Sequence, residues 1–115
     1  MQDQLSFFQE ALNRAALPIV VLSVLHERPM YGYELTTEIK KRSHGTYPTA
    51  VMYPVLKKLL QDHYIELGKS TVIDGRYRQY YQITQLGESA LADSPAEFKQ
   101  FTDLLNEIME GQSHD

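Results

Sequence analysis

Thr49, Ala50, Tyr53, Lys57 and Lys58 fall within one stretch of the chain, Thr49-Ala50-Val51-Met52-Tyr53-Pro54-Val55-Leu56-Lys57-Lys58-Leu59. At about 100° per residue, Ala50, Tyr53, Lys57 and Gln61 share one side of a helix, and Met52, Val55, Leu56 and Leu59 share the other. One side can pack while the other offers a small residue, a phenol and an ammonium group. Those are the shape and the donors that suit the major groove of DNA. An ordinary amphipathic helix with a solvated lysine face has the same pattern. Further on, Arg76 and Arg78 sit two residues apart beside the turn-forming pair Asp74-Gly75. On one strand face their stems are about 6 to 7 Å apart, a spacing that can straddle phosphates. The competing reading is an exposed hairpin tip whose arginines touch nothing.

The hairpin has two possible registers. A two-residue Asp74-Gly75 turn pairs Ile73 with Arg76 and puts Ile65 and Leu67 on the face opposite Tyr81 and Ile83. A three-residue loop, Ile73-Asp74-Gly75, instead pairs Leu67 with Tyr81 and Ile65 with Ile83, uniting the apolar face. That second register is preferred, and it aligns Arg76, Arg78 and Tyr80 on the other face.

Charge is distributed to match. The formal net charge is -4, yet residues 28 to 82 hold nine Lys and Arg against five acids, a net of +4, leaving -8 on the two ends. A basic middle between acidic helical ends suits a centre that grips phosphate and ends that dimerise. At 115 residues one domain with a modest core is expected, so burial through oligomerisation would help. The absence of Cys excludes disulfides, zinc-thiolate sites and a thiol nucleophile, and agrees with a reducing compartment. No apolar run approaches the roughly 20 residues of a membrane span. A cytoplasmic protein with no membrane partner is expected.

The elements that must position these residues follow from periodicity. Leu5, Phe8 and Leu12 recur at helical spacing in a short amino-terminal helix with too little apolar surface to stand alone. Pro18 fits the first turn of a new apolar helix, Ile19 to His26, which Pro29 stops. A third helix, roughly Tyr31 to Ser43, buries Tyr31, Leu35 and Ile39. It gathers Lys40, Lys41 and Arg42 in its last turn, as a complement to the helix dipole or as phosphate contacts. Gly45 suits the left-handed residue after it. Thr49 is the expected N-cap of the next helix, and Pro54 should leave the Ala50 carbonyl free. After Thr84 a helix begins that Ser94-Pro95-Ala96-Glu97, a capping-box start, should kink or restart. Beyond it Phe98, Phe101, Leu105 and Ile108 follow a 3-4-3 spacing. Leu91 lies one heptad before Phe98, and Leu104 and Met109 widen the stripe. Together with the first helix this exceeds what one small domain can cover, which predicts a dimer interface.

The order helix, helix, reading helix, two-stranded wing and terminal helix is that of a winged helix-turn-helix repressor. Three motifs narrow it: Pro29-Met30-Tyr31-Gly32-Tyr33-Glu34-Leu35, Met52-Tyr53-Pro54-Val55-Leu56-Lys57-Lys58-Leu59, and the run Gly75-Arg76-Tyr77-Arg78-Gln79-Tyr80-Tyr81 through Gly87. In this order and spacing they resemble the PadR family of bacterial transcriptional regulators over about residues 17 to 91. Two places depart from the usual pattern: Ala50-Val51-Met52 stands where Gly-Thr-Leu often precedes Tyr-Pro, and Leu60-Gln61-Asp62-His63 replaces Leu-Glu-Glu-Gly. They bear on the sequence read more than on the fold.

The resemblance implies an α+β, mostly helical fold, a winged helix-turn-helix with a terminal dimerisation helix. Its parts would be an amino-terminal helix packing on the dimer (1–16), the DNA-binding domain (17–86), the dimerisation helix (87–111) and a disordered tail (112–115). It implies a homodimer on a promoter inverted repeat of double-stranded DNA. Thr49, Ala50, Tyr53, Lys57, Lys58 and Lys40 would lie on or near the DNA, with Arg76 and Arg78 at the wing phosphates. The dimer interface would be Leu5, Phe8, Leu12, Leu91, Phe101, Leu104, Leu105 and Ile108. The short terminal helix is similar to the subfamily whose multidrug-sensing members hold flat aromatic compounds in an apolar channel between subunits. There Phe98 stands where those members carry a stacking tryptophan, with Phe8 and Ala15 as further candidates beside Ala11, Ala16 and Ala92. A repressor released by a small aromatic or hydrophobic effector is thus expected. The rival reading is a winged-helix docking module, adaptor or antagonist, without DNA. No enzyme, cofactor or metal site is expected: no nucleophile has a recognisable base, no glycine loop cradles phosphate, and His26, His44, His63 and His114 lack ligand spacing.

Overall fold

A computed structural model describes residues 6–111, so the expectations for Leu5 and for the tail lie outside the described residues. The order of elements is α1 (Phe7–Glu27), β1 (Met30–Tyr31), α2 (Gly32–Arg42), α3 (Thr49–Gln61), β2 (Ile65–Ile73), β3 (Arg76–Ile83) and α4 (Gln85–Gly111). The fold is the mostly helical winged helix-turn-helix expected, with a three-stranded antiparallel sheet in the order β1-β3-β2.

Two expected helix starts are absent. Pro18 lies inside α1 and opens no new helix. A proline removes only one helical amide, here the donor to the Arg14 carbonyl. Burial of Leu17, Val21, Leu22, Val24 and Leu25 holds the turns beyond it. The expected domain boundary after residue 16 therefore falls in mid-helix. The fused helix is long and apolar enough to match a membrane span, which corrects the expectation that no run approaches that length. Its apolar half forms the centre of the core, packed with Leu35 and Ile39 of α2, Met52, Leu56 and Leu59 of α3, and Ile65 of β2.

Likewise Ser94 and Pro95 lie inside α4. Pro95 cannot donate to the Leu91 carbonyl, and the buried Ser94 hydroxyl donates to that oxygen instead at 2.8 Å. The apparent capping box is thus a repair of the helical ladder. Ser94→Ala should lower stability by about 1 kcal/mol, the worth of a typical hydrogen bond, and by less in a Pro95→Ala background, where the backbone amide is restored. Equal losses in both backgrounds, measured by urea unfolding, would discount the repair.

β1 escapes sequence periodicity because it has two residues. Met30 pairs with Tyr81 and Tyr31 with Tyr80, so Tyr31 is a strand residue and not part of α2. The preferred register holds at the base of the hairpin, and the three-residue loop expected with it is absent. Ile65 faces Ile83 and Leu67 faces Tyr81, as preferred, while at the tip Ile73 faces Arg76 across a two-residue Asp74-Gly75 turn. Both turn residues have positive φ, 53° and 76°, the geometry of a tight hairpin matched to strand twist. A β-bulge between Leu67 and Ser70 absorbs the extra residue. The Gln79 side-chain amide donates to the Gly68 and Lys69 carbonyls at 3.0 and 3.2 Å, satisfying the backbone that the bulge leaves unpaired.

Candidate nucleic-acid interface

α3 buries Met52, Leu56 and Leu59 and leaves Thr49, Ala50, Tyr53, Lys57 and Lys58 exposed. Pro48, not Thr49, occupies the cap position, and no side chain caps the helix start. Tyr53 leans toward the sheet: its ring approaches the start of α2 at Gly32, beside the ring of Tyr81. Burial, with Tyr53 next to it, raises the Tyr81 phenol above the ordinary tyrosine range. Val55, expected on the packing face, is only half-buried. Lys58 is held by Asp62 at 3.0 Å through an exposed i,i+4 pair, whereas no ion pair engages Lys57 among the described residues.

The basic cluster at the end of α2 divides. Arg42 is taken by two carboxylates: its Nη atoms donate to both Glu27 oxygens at 2.6 and 2.7 Å, and its Nε donates to Glu38 at 2.7 Å. These charge-assisted bonds hold the Glu27 and Glu38 carboxyls below their ordinary range. Arg42 thus ties α2 to α1. Lys40 and Lys41 remain exposed. His44 and Gly45 both take positive φ after the helix, so the left-handed stretch begins one residue before the glycine expected to make it.

The wing separates its two arginines as well. Arg76 is exposed at the tip, opposite the neutral Ile73. Arg78 lies flat against the sheet, its guanidinium carbon 5.0 Å from the centre of the Tyr31 ring. The Tyr31 ring meets Tyr80 edge-on at 5.6 Å, and the Lys69 ammonium sits 5.2 Å from the Tyr80 ring. A ladder of cation, two phenols and cation therefore covers this face of the wing. Buried Nε of Arg78 has no hydrogen-bond partner, and a donor of that kind favours an approaching acceptor. Sequence reasoning missed Tyr31 and Lys69, because the two-residue strand and the bulge that bring them here carry no periodic signal.

The junction from wing to α4 is built on Thr84. Its hydroxyl donates to the His63 carbonyl at 2.7 Å and accepts from the Gly87 amide at 3.0 Å, so it caps α4 while fastening it to the start of β2. His26 Nδ1 lies 2.7 Å from Glu88 Oε1, tying α1 to the same turn. Every residue of α4 from Pro95 to Gly111 is exposed. This half carries Phe98, Phe101, Leu104, Leu105 and Ile108, all at least 40 % exposed, and Phe8 and Leu12 of α1 are more exposed still. Leu91 differs: it packs partly against its own core.

The model of the PadR-like transcriptional regulator family matches residues 21–93. An uncharacterized protein of Lysinibacillus sphaericus is 32 % identical over 100 residues, covering 85 % of this chain and 92 % of that one. Among solved structures, a PadR family transcriptional regulator from Eggerthella lenta superposes with a TM-score of 0.72 at 25 % identity, covering 87 % of each chain. Bacillus subtilis PadR in complex with operator DNA gives a TM-score of 0.60 at 25 % identity, over 68 % of this chain and 45 % of that longer one. The matched residues run from the core of α1 through reading helix and wing into α4, and the chain belongs to the PadR-like family of transcriptional regulators, which are not enzymes.

Proposed function

We propose that this regulator is a cytoplasmic, dimeric repressor that binds an inverted repeat in a promoter and is released by a small aromatic or hydrophobic effector. The observation that carries the DNA-binding part is the exposed start of α3 beside a cationic wing, in a fold shared with a protein solved on operator DNA. In this reading Ala50, Tyr53 and Lys57 meet the groove. Thr49, Lys58, Lys40 and Arg76 meet phosphate, and Arg78 reaches phosphate from its platform on Tyr31. The exposed stripe of α4 with Phe8 and Leu12 supports the dimer, since an isolated half-helix of this length is marginal in water. Phe98, Phe8 and Ala15 would border the effector channel.

The test is anisotropy of labelled DNA from immediately upstream of the protein's own gene, at about 50 and 200 mM salt, beside a scrambled duplex. Preferential binding that weakens steeply with salt is expected. Weak, equal binding to both duplexes would favour a protein-docking role. The double substitution Arg76→Ala with Arg78→Ala should weaken all duplexes alike and reduce the salt slope by about 1 to 2. An unchanged slope would remove the wing from the interface.

A further inference from the structure

A pocket of ≈ 670 Å³ opens between the amino-terminal half of α1 and the start of α3, in the size range of small-molecule sites. Leu17, Pro48, Val51, Pro54 and Val55 give it an apolar wall, and Tyr47 closes one side. The Tyr47 hydroxyl donates to the Asn13 carbonyl at 2.7 Å, fixing the α2–α3 connection to α1. The α1 residues that border it, Glu10, Asn13, Arg14 and Leu17, lie roughly on the opposite side of the helix from Phe8, Leu12 and Ala15. A dimer formed through the latter stripe leaves the pocket open.

Asn13, Thr46 and Tyr47 of its lining are hydrogen-bonded within the protein, whereas its two charged side chains, Glu10 and Arg14, form no ion pair among the described residues. Glu38–Arg42, Lys58–Asp62 and Lys99–Asp103 all close as i,i+4 ion pairs. Glu10 and Arg14 have the same spacing in the favoured acid-first order, yet no ion pair engages either among the described residues. Ala50 and Pro54, one turn apart, both line the pocket, and the Ala50 carbonyl between them has no helical donor because Pro54 has no N–H. The rim therefore offers one cation, one anion and one spare carbonyl beside an apolar wall.

We infer that this pocket binds a small apolar zwitterion, an α-amino acid with an aromatic side chain, and that its occupancy is coupled to the reading helix. The ligand carboxylate meets Arg14, its ammonium donates to Glu10 and the Ala50 carbonyl, and its ring lies on Leu17, Val51 and Val55. A ligand there touches Ala50 and Val51 in the first turn of α3, so it biases the helix that reads DNA. The coupling rests on the DNA-binding reading above; ligand binding itself does not.

The chain has no tryptophan, so L-tryptophan can report its own binding by a blue-shifted, saturating emission when excited beyond the tyrosine band. Expected are such saturation, binding about tenfold weaker for tryptamine and indole-3-propionate, and a similar loss in Arg14→Gln and Glu10→Gln, each removing one charge-assisted contact. Val55→Phe, which fills the pocket, should abolish the signal. No saturation with L-tryptophan overturns the inference, as does a signal lost in Phe98→Ala but retained in Arg14→Gln. In the DNA assay, saturating L-tryptophan should shift affinity by at least about fivefold. An unshifted affinity on DNA that the protein does bind overturns the coupling, whereas failure to bind DNA at all counts against the functional reading and leaves the fluorescence result standing.

Discussion

Gly87→Ala is expected to destabilise the protein by about 3 kcal/mol or more, at the upper end of what overpacking costs, with a fall in Tm on the order of 10 to 20 °C for a domain this small. A Cβ at Gly87 would overlap the Tyr64 carbonyl oxygen and come within 2.7 Å of Ile83 Cγ1. The first of these is backbone and cannot rotate aside. The same carbonyl accepts from the Thr84 amide and the Thr84 hydroxyl, both at 3.1 Å, so moving it loosens the cap of α4 and the start of β2 together. Gly111→Ala, where an added Cβ meets nothing, is the control. A thermal scan in which Gly87→Ala melts within about 2 °C of that control would show that α4 can shift without loss.

Phe101→Asp should leave the protomer folded and dissociate the proposed dimer. Phe101 is 54 % exposed and lies in the half of α4 whose residues are all exposed, so a carboxylate there stays hydrated in the monomer. In a two-fold interface the change enters twice, and each unpaired buried charge costs several kcal/mol. The dissociation constant should rise about a thousandfold or more. DNA affinity should fall with it, because two half-sites held together gain about 10² to 10⁴ over either alone. Sedimentation at micromolar concentration reads the first effect and anisotropy the second. A variant that remains dimeric would move the interface away from this stripe.

Both outcomes depend on features of different legibility. The Phe98-to-Ile108 stripe could be read directly, because a period near 3.6 survives wherever a helix keeps one apolar face. The helix breaks at Pro18 and at Ser94-Pro95 were misread for one reason: a proline reports a missing donor, and only the tertiary environment tells whether the helix survives it. For α1 the answer lies in the buried run Leu17 to Leu25, and for α4 in the Ser94 hydroxyl. The hairpin is instructive in another way. Alternation identified the correct base register, but the three-residue loop chosen to reach it was wrong at the tip, where the two-residue Asp74-Gly75 turn closes the hairpin; the two are compatible only through the bulge that Gln79 stabilises. Sequence spacing located Tyr53, Lys57 and Arg76 on exposed faces. It could not tell that Arg42 and Lys58 are engaged by acids, or that Arg78 rests on Tyr31, since those facts depend on elements that meet only in the folded chain.

In the proposed dimer the exposed half of α4 would serve as a lever. From Pro95 to Gly111 it extends about 25 Å at 1.5 Å per residue, beyond the one position where a side chain replaces a backbone bond in the ladder. A tilt of 10° about that position sweeps its far end through about 4 Å, close to the 3.4 Å rise of one base pair along a DNA strand. If two such levers join the protomers, small changes in seating at Phe98 or Phe101 are converted into whole base-pair steps in the separation of the reading helices. Substitutions in this stripe would then retune the half-site spacing without altering a single residue that faces a base.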